Sequence, residues 1–310
     1  MAKRDVIVIG ASSGGVDALH TIVSQLPADL PAAIFAVLHL APRSKSYLPE
    51  ILNRTSRMPA VQAQDGMPIE HGKVYLAVPD YHLIVERGHV HLGSGPREQH
   101  QRPCINVTFR SAAQAYGERV AGAILTGALD DGVAGLWEVQ RHGGVAIVQN
   151  PEEAAVPSMP LSALREIEAD FVANLADMAS LFARLAGQDG HRPITPALEA
   201  EMEGALTDLT CPDCRGTIWE VPRGNGLKYR CRVGHAYSSK AMLAEHTKAQ
   251  ENALYSAVVA LEEGASLANR LADRFEPEIA ERLREEARER AAQAKMIREM
   301  LLKRRSFRIE

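Results

Sequence analysis

The chain has 310 residues, of which 46% are hydrophobic and 24% charged, with a formal net charge of −4. That length admits one sizeable domain and a smaller one, and the charge balance gives no general argument for a nucleic-acid or membrane partner. No apolar run approaches the ~20 residues that cross a bilayer, and a first strand opening at Val6 leaves no room for a signal peptide. Four cysteines, two of them in a C-x-x-C, point to metal in a reducing cytoplasm rather than to disulfides.

Val6, Ile7, Val8 and Ile9 form an apolar, β-branched run of the kind buried in the middle of an α/β sheet. The run breaks into Gly10-Ala11-Ser12-Ser13-Gly14-Gly15 before helix-compatible residues resume. This order places the Ser12 hydroxyl at the carboxyl end of a strand, beside the free N–H groups and partial positive charge of a helix N-terminus. An anion can bind there, or develop there during a reaction. The loop lacks the G-x-G-x-x-G spacing of dinucleotide folds, and it lacks the Gly-Lys-Ser/Thr of triphosphate loops. It is compatible with a serine-nucleophile turn, although not with the G-x-S-x-G elbow. A tight βα turn with a capping serine is the plain alternative.

A helix over Val16 to Leu26 stops before Pro27, and a second strand, Ala33 to Leu38, delivers His39 to a strand end as the first delivers Ser12. Ser46 to Leu52 reads as a short helix. Val74–Val78, His82–Glu86 and Val90–Leu92, with a turn at Arg87-Gly88-His89, predict a hairpin added to the sheet's edge. His82, His89, His91 and His100 carry no zinc-ligand spacing and read as surface residues. Pro103 to Tyr116 looks helical and leads to the strand Ala121–Leu125, then to Thr126-Gly127-Ala128-Leu129-Asp130-Asp131-Gly132 and a helix over Val133–Arg141. Asp130 or Asp131 can cap that helix. With Ser12 and His39 at other strand ends, either can instead complete a nucleophile, a base and an orienting carboxylate. A strand over Gly144–Gln149 and the segment Pro157–Ile167 extend the βαβ pattern to about Ala186. The expected fold is α/β: a doubly wound, mostly parallel sheet with an antiparallel edge hairpin.

The blocks GASSGG, VLHLAP, QDGMPIEHGKVYLAVPDYHLIV, RPCINVTFRSAA and LTGALDDGVAGL run in the order seen in the chemotaxis protein-glutamate methylesterases, which the chain resembles from about Asp5 to Ala186. The resemblance implies that Ser12 is the nucleophile and His39 the general base. It also selects Asp131 over Asp130 as the orienting carboxylate, the second-last residue of the family's L-T-G-M-G-x-D-G motif. Backbone N–H groups near Ser13 and Ala128 would hold the oxyanion, and no cofactor is needed for catalysis. The implied reaction is hydrolysis of glutamate γ-methyl esters on the cytoplasmic helical domains of methyl-accepting chemotaxis receptors, with some deamidation of glutamine. The family's Met-Gly is Ala128-Leu129 here, which restricts φ and removes a large side chain beside the nucleophile. Most characterised members carry an N-terminal receiver domain that blocks the site. Since this sequence opens on the catalytic strand, the expectation is that such control is absent.

Gly187 to Pro193 reads as a linker. Cys211 and Cys214, then Cys231 and His235 after sixteen intervening residues, supply three thiolates and an imidazole for a tetrahedral, structural zinc. Strands over Thr217–Val221 and Lys228–Cys231, around Gly224-Asn225-Gly226, make this a zinc ribbon, too small to fold without its metal. Arg215, Arg223, Lys228, Arg230 and Arg232 make the ribbon basic, but with only Tyr229 for base stacking the pattern favours docking to protein over nucleic acid. The protein could be the receptor, another chemosensory protein or the catalytic domain itself. From Lys240 the chain is helical. Leu254, Val258, Leu261, Ala265, Ala268 and Leu271 make one apolar stripe. Beyond a break at Arg274–Pro277, Ile279, Leu283, Ala287, Ala294, Ile297 and Leu301 make a second, as in an antiparallel helical hairpin. The expected organisation is a catalytic domain over 1–186, a linker over 187–209, the ribbon over 210–239 and the helical hairpin over 240–310. The competing reading is a regulatory binding module, non-catalytic or of altered substrate, that docks protein or nucleic acid through ribbon and tail.

Overall fold

Alternate residues of the first strand face opposite layers, and that sets the architecture. In the computed structural model, which describes residues 3–39, 46–187, 204–223 and 226–303, β1 (Val6–Ala11) is buried along its whole length. Ile7 and Ile9 join one apolar cluster, with Leu19, Ile22 and Phe182. Val6 and Val8 join another, with Phe35, Phe109 and Leu136. A strand covered on both faces needs an unbroken apolar run, which is why the pattern does not alternate.

In chain order there follow α1 (Gly15–Gln25), β2 (Ala33–Leu38), α2 (Leu48–Asn53), β3 (Ala60–Gln62), β4 (Lys73–Leu76), β5 (His82–Val85), β6 (Val90–Gly93), α3 (Ile105–Tyr116), β7 (Val120–Ile124), α4 (Val133–Arg141), β8 (Val145–Gln149), α5 (Ser158–Glu166), β9 (Phe171–Ala173) and α6 (Leu175–Gly187). Seven of these strands form one sheet in the order β3-β4-β2-β1-β7-β8-β9, and its pairings are parallel. Beside β1 lie β2, which follows it, and β7, which returns after a long excursion. The carboxyl ends of these three strands bound the crevice where open α/β sheets place their ligands.

The predicted hairpin is present as β5 and β6, paired from His82↔Gly93 to Val85↔Val90. It forms a two-stranded sheet of its own; the edges of the main sheet are β3 and β9. The reason is α3, whose hydroxyls occupy the backbone of β5. Thr108 Oγ1 donates to the Leu83 carbonyl at 2.7 Å, and Ser111 Oγ accepts from the Val85 N–H at 3.0 Å. Two of the four histidines read as surface residues are not on the surface. His82 is 4% exposed, with Nε2 donating to the Pro96 carbonyl at 2.9 Å, and burial pushes its imidazole below the ordinary range. His100 is half-buried, beside Asp213 at 3.3 Å. His89 and His91 are exposed.

The helices α3 and α4 cross where α4 carries Gly135. A Cβ there would stand 2.6 Å from Phe109 Cβ and 3.0 Å from Asn106 Cα. Replacing a helix-interior glycine by alanine ordinarily stabilises by about 1 kcal/mol. At Gly135 the sign reverses: Gly135→Ala is expected to lower unfolding stability by about 1–3 kcal/mol through overpacking, read from chemical denaturation. A gain in stability would refute the close crossing.

Beyond α6, the strands β10 (Ala205–Thr210), β11 (Thr217–Arg223), β12 (Gly226–Cys231) and β13 (Ala236–Ser238) form a four-stranded antiparallel sheet. All but the last residue of its first strand lies in the stretch read from sequence as linker; residues 188–203 and Gly224-Asn225 lie outside the described residues. The sheet sits on the segment between β6 and α3. Glu98 bridges to Ala236, and its carboxylate pairs with Arg110 and, at 3.4 Å, with Lys228 of β12. Burial would push the Glu98 carboxyl up, but Lys228 and Arg110 outweigh it and hold it at about 2, against an ordinary 4.5. A depressed carboxyl stabilises above its unfolded value and loses that contribution as pH falls through the folded one. Between pH ~4.5 and ~2, Glu98 should therefore cost the fold on the order of 3 kcal/mol. Glu98→Gln should flatten that part of the stability-against-pH curve; an unchanged acid limb would exclude this role.

Residues 242–310 form a second unit, built from the body of α7 (Ser239–Ala272) and α8 (Pro277–Lys303). Within it the two helices run antiparallel: Glu262 pairs with Arg298 at 2.8 Å and Asp273 with Arg284 at 3.4 Å. Ala265, Ala268 and Ala287 pack together between them. The stripe of α8 starts at buried Ala280 rather than at Ile279, which is exposed. No helix among the described residues is long and apolar enough to cross a membrane.

Candidate active site

Ser12 leaves β1 with its N–H donated to the Thr126 carbonyl at 3.0 Å, so the ends of β1 and β7 are tied together. Gly14 then takes φ +77°, and a Cβ there would lie 2.8 Å from Ala155 Cβ. Only glycine meets both demands without strain. His39 leaves β2 on the other side of β1, its N–H directed to the Ala11 carbonyl at 3.4 Å. The imidazole Nδ1 lies 3.2 Å from Ser12 Oγ, and Nε2 lies 2.7 Å from Asp131 Oδ2. A carboxylate opposite Nε2 keeps the proton on that nitrogen and leaves the Nδ1 lone pair facing the serine hydroxyl. Leu40 to Lys45, the rest of the histidine block, lie outside the described residues.

Asp131 is 3% exposed and accepts from a ring of donors. Oδ2 takes the Ile105 N–H at 2.8 Å as well as His39. Oδ1 takes the Asn106 N–H at 3.1 Å, the Gly132 N–H at 2.8 Å and the Cys104 thiol at 3.1 Å. The carboxylate thus sits on the N-terminus of α3, where free N–H groups favour negative charge. Burial would push its carboxyl up; His39, the Ile105 amide and the Cys104 thiol prevail and hold it below the ordinary range. Cys104 itself, fully buried, is pushed up by burial and by Asp131 and stays a thiol. Asp130 is directed elsewhere: its carboxyl is raised by burial and meets Ser238 and, at 3.5 Å, Gln99.

Ser13 and Ala128 lie at the exposed rim of this crevice. Among the described residues, neither backbone N–H donates to another protein group. Thr126 Oγ1 donates to the Ser13 carbonyl at 2.9 Å, and Gly127 exchanges bonds with Val156 and Met159 at 2.9 Å each, so both peptides are held. Leu129 takes φ +64°, a conformation that costs an L-residue about 1–2 kcal/mol. Its carbonyl is pinned by Ser158 Oγ at 3.3 Å and Ser162 Oγ at 3.1 Å. Met159 of α5 lies against Gly127, next to Ser12.

The four ribbon residues also converge. The ligand atoms of Cys211, Cys214, Cys231 and His235 lie within 4.8 Å of one another. Cys214 and Cys231 Sγ are 3.6 Å apart, and His235 Nδ1 is 3.7 Å from Cys211 and 3.4 Å from Cys231. A tetrahedral ion with metal–sulfur bonds of about 2.3 Å needs edges of roughly 3.6–3.8 Å, so this donor set fits a metal. Sequence reasoning missed the parts of the site that have no motif: the Cys104 thiol, the α3 amides, Thr126 and Met159. The available signal was the start of α3 directly after Pro103-Cys104, since a helix N-terminus is an anion cradle wherever it falls.

A relative from Leptospira interrogans is 38% identical over 182 residues, 58% of this chain and 94% of its own length, and carries a protein-glutamate methylesterase/protein-glutamine glutaminase name provisionally. A Methanosarcina acetivorans protein of that name is 38% identical over 194 residues, 60% of this chain but 54% of the relative. The crystal structure of the Thermotoga maritima CheB methylesterase catalytic domain superposes with a TM-score of 0.56 at 32% identity, covering 60% of this chain and 99% of that one. Residues 7–182 match the CheB methylesterase profile, and the chain belongs to the CheB methylesterase family.

Proposed function

We propose that the chain is a serine esterase that hydrolyses glutamate γ-methyl esters on the cytoplasmic helical domains of methyl-accepting chemoreceptors, and that it deamidates glutamine by the same route. The observation that carries this reading is the relay from Ser12 Oγ through His39 to Asp131, with separations of 3.2 Å and 2.7 Å, at the carboxyl edge of a parallel sheet. Ser12 Oγ attacks the ester carbonyl while His39 Nδ1 takes its proton, the distance being within reach of general-base transfer. The amides of Ser13 and Ala128 hold the oxyanion. Asp131 stabilises the imidazolium and keeps its orientation. His39 then returns the proton to the departing methoxide, and methanol leaves. Water, activated by the same imidazole, hydrolyses the acyl-enzyme and regenerates the serine and a glutamate. With glutamine the leaving group is ammonia, and the protein needs no cofactor for either reaction.

In this reading residues up to 186 are the catalytic domain, and the Cys₃His ribbon holds a structural zinc. All four ligand positions are filled by protein, so the ion offers no open site for substrate and contributes folding energy instead. The helical unit beyond it is an accessory to docking. The test is methanol release from a methylated receptor signalling domain by the full chain and by Ser12→Ala. Release by the wild type and a loss of at least about 10³-fold in the folded variant are expected; equal release by both would overturn the proposal.

A further inference from the structure

The segment between β6 and α3 is held between the ribbon and the turn that carries Asp131. Gln99, 8% exposed, donates its backbone N–H to the Ala236 carbonyl at 2.8 Å. Its side-chain oxygen accepts the Ser238 N–H at 2.9 Å, and its side-chain nitrogen lies 3.5 Å from Asp130 Oδ1. The Ser238 hydroxyl favours the charged form of the Asp130 carboxyl, against the burial that raises it. On the other side of the turn, Lys240 Nζ lies 3.4 Å from both Ser158 Oγ and Ser162 Oγ, the two hydroxyls that hold the Leu129 carbonyl. Gln99, held by the ribbon, and Lys240, just past the ribbon's last strand, thus brace the stretch between Ala128 and Asp131 at two points.

The same segment reaches the metal-ligand cluster. His100 pairs with Asp213, which lies between Cys211 and Cys214, and its ring stands 4.9 Å from that of Tyr237. The Tyr237 hydroxyl is 3.2 Å from Cys211 Sγ. Gln99 and His100 take φ +52° and +60°, a backbone conformation that L-residues keep only when their surroundings hold them there. Of the partners that hold it, Ala236, Ser238, Asp213 and Tyr237 belong to the ribbon. Without an ordered ribbon the segment loses those constraints, and the turn loses Gln99, Ser238 and Lys240 together.

We propose that the Cys₃His ribbon is a positioning element for the catalytic turn: with its metal bound it sets Ala128 and Asp131 through Gln99 and Lys240, and Gln99 is the positioning residue through which the metal state of the ribbon reaches the esterase. This inference rests on the serine-esterase and metal-ribbon readings above, and its test separates their failures. The rate at which a fluorophosphonate phosphonylates Ser12, with loss of fluoride, is measured on the full chain with its metal content determined, after chelation, and after stoichiometric zinc is returned. Chelation is expected to slow phosphonylation about 10- to 100-fold, and zinc to restore it. Gln99→Ala, folded and metal-loaded, should lower kcat for methyl-ester hydrolysis about 10-fold with KM changed less than about twofold. Chelation of that variant should then slow phosphonylation less than about threefold, because the connection is already cut. Lys240→Ala should lose activity that Lys240→Arg keeps. Equal phosphonylation rates with and without metal, or losses that multiply in Gln99→Ala, would overturn the coupling. No phosphonylation of the loaded wild type would overturn the esterase reading and this inference with it. A chain that retains no metal would overturn the metal-ribbon reading in the same way.

Discussion

Asp131→Asn is expected to lower kcat by about 10³- to 10⁴-fold, the largest effect of any substitution outside Ser12 and His39. The carboxylate accepts three backbone N–H groups, a thiol and the His39 imidazole, whereas an amide offers a single oxygen. With its nitrogen in place of Oδ2 it faces the Ile105 N–H and favours a proton on His39 Nδ1, the nitrogen that accepts the serine proton in the proposed mechanism. With its nitrogen in place of Oδ1 it faces the Asn106 and Gly132 N–H groups. In either orientation at least one buried N–H loses its acceptor, at a cost of about 1–3 kcal/mol. The variant should therefore lose stability as well as turnover. Methanol release and a denaturation curve measured on the same preparation check both. Near-wild-type kcat would remove Asp131 from the mechanism and return it to the role of a helix cap.

Gly127→Ala should lower kcat by about 10²-fold or more, although it adds only one methyl group. The new Cβ would lie 2.8 Å from Met159 Cε and 2.9 Å from Ser12 Cβ. The methionine end can swing away, but Ser12 cannot, because its N–H is bonded to Thr126 at the strand end. The serine hydroxyl must move instead, and misplacement of a nucleophile by about 1 Å costs on the order of 10²-fold. The fold should survive with a loss of about 1–3 kcal/mol. Adding Met159→Ala should not restore turnover, since the clash with Ser12 remains. A double variant as active as the wild type would show instead that Met159, not Ser12, is the constraining neighbour.

Much of the catalytic domain is written in local chemistry. Apolar runs such as Ala33–Leu38 and glycine-bearing turns such as Gly10–Gly15 encode strand and turn where they stand, and the structure has β2 over those same residues. β3 was not legible, because three residues, Ala60–Gln62, make it a strand only by pairing with β4. The hairpin was legible and its place was not: its location depends on Thr108 and Ser111, more than twenty residues further along the chain. His82 and His100 were misread for the same reason, since spacing reports ligand motifs and says nothing of what a later segment covers. The departure at Ala128-Leu129 was visible as a restriction on φ, and Leu129 does adopt a positive φ. That two serines of α5 brace its carbonyl could not be read from the turn itself.

By itself, then, the amino-acid sequence determined most of the kinds of element, the residue types at each strand end, the pattern of three cysteines and a histidine in the ribbon and the family to which the chain belongs. These follow from steric and solvation preferences that act over a few residues, and from motifs whose order is one-dimensional. Only the tertiary structure decided that His39 meets a serine 27 residues away and an aspartate 92 residues away, that α3 supplies the amides around Asp131, and that the ribbon rests on the segment leading to them. Those contacts join groups far apart in the chain. Their energies come from desolvation and hydrogen bonding among surfaces that exist only once the sheet has formed.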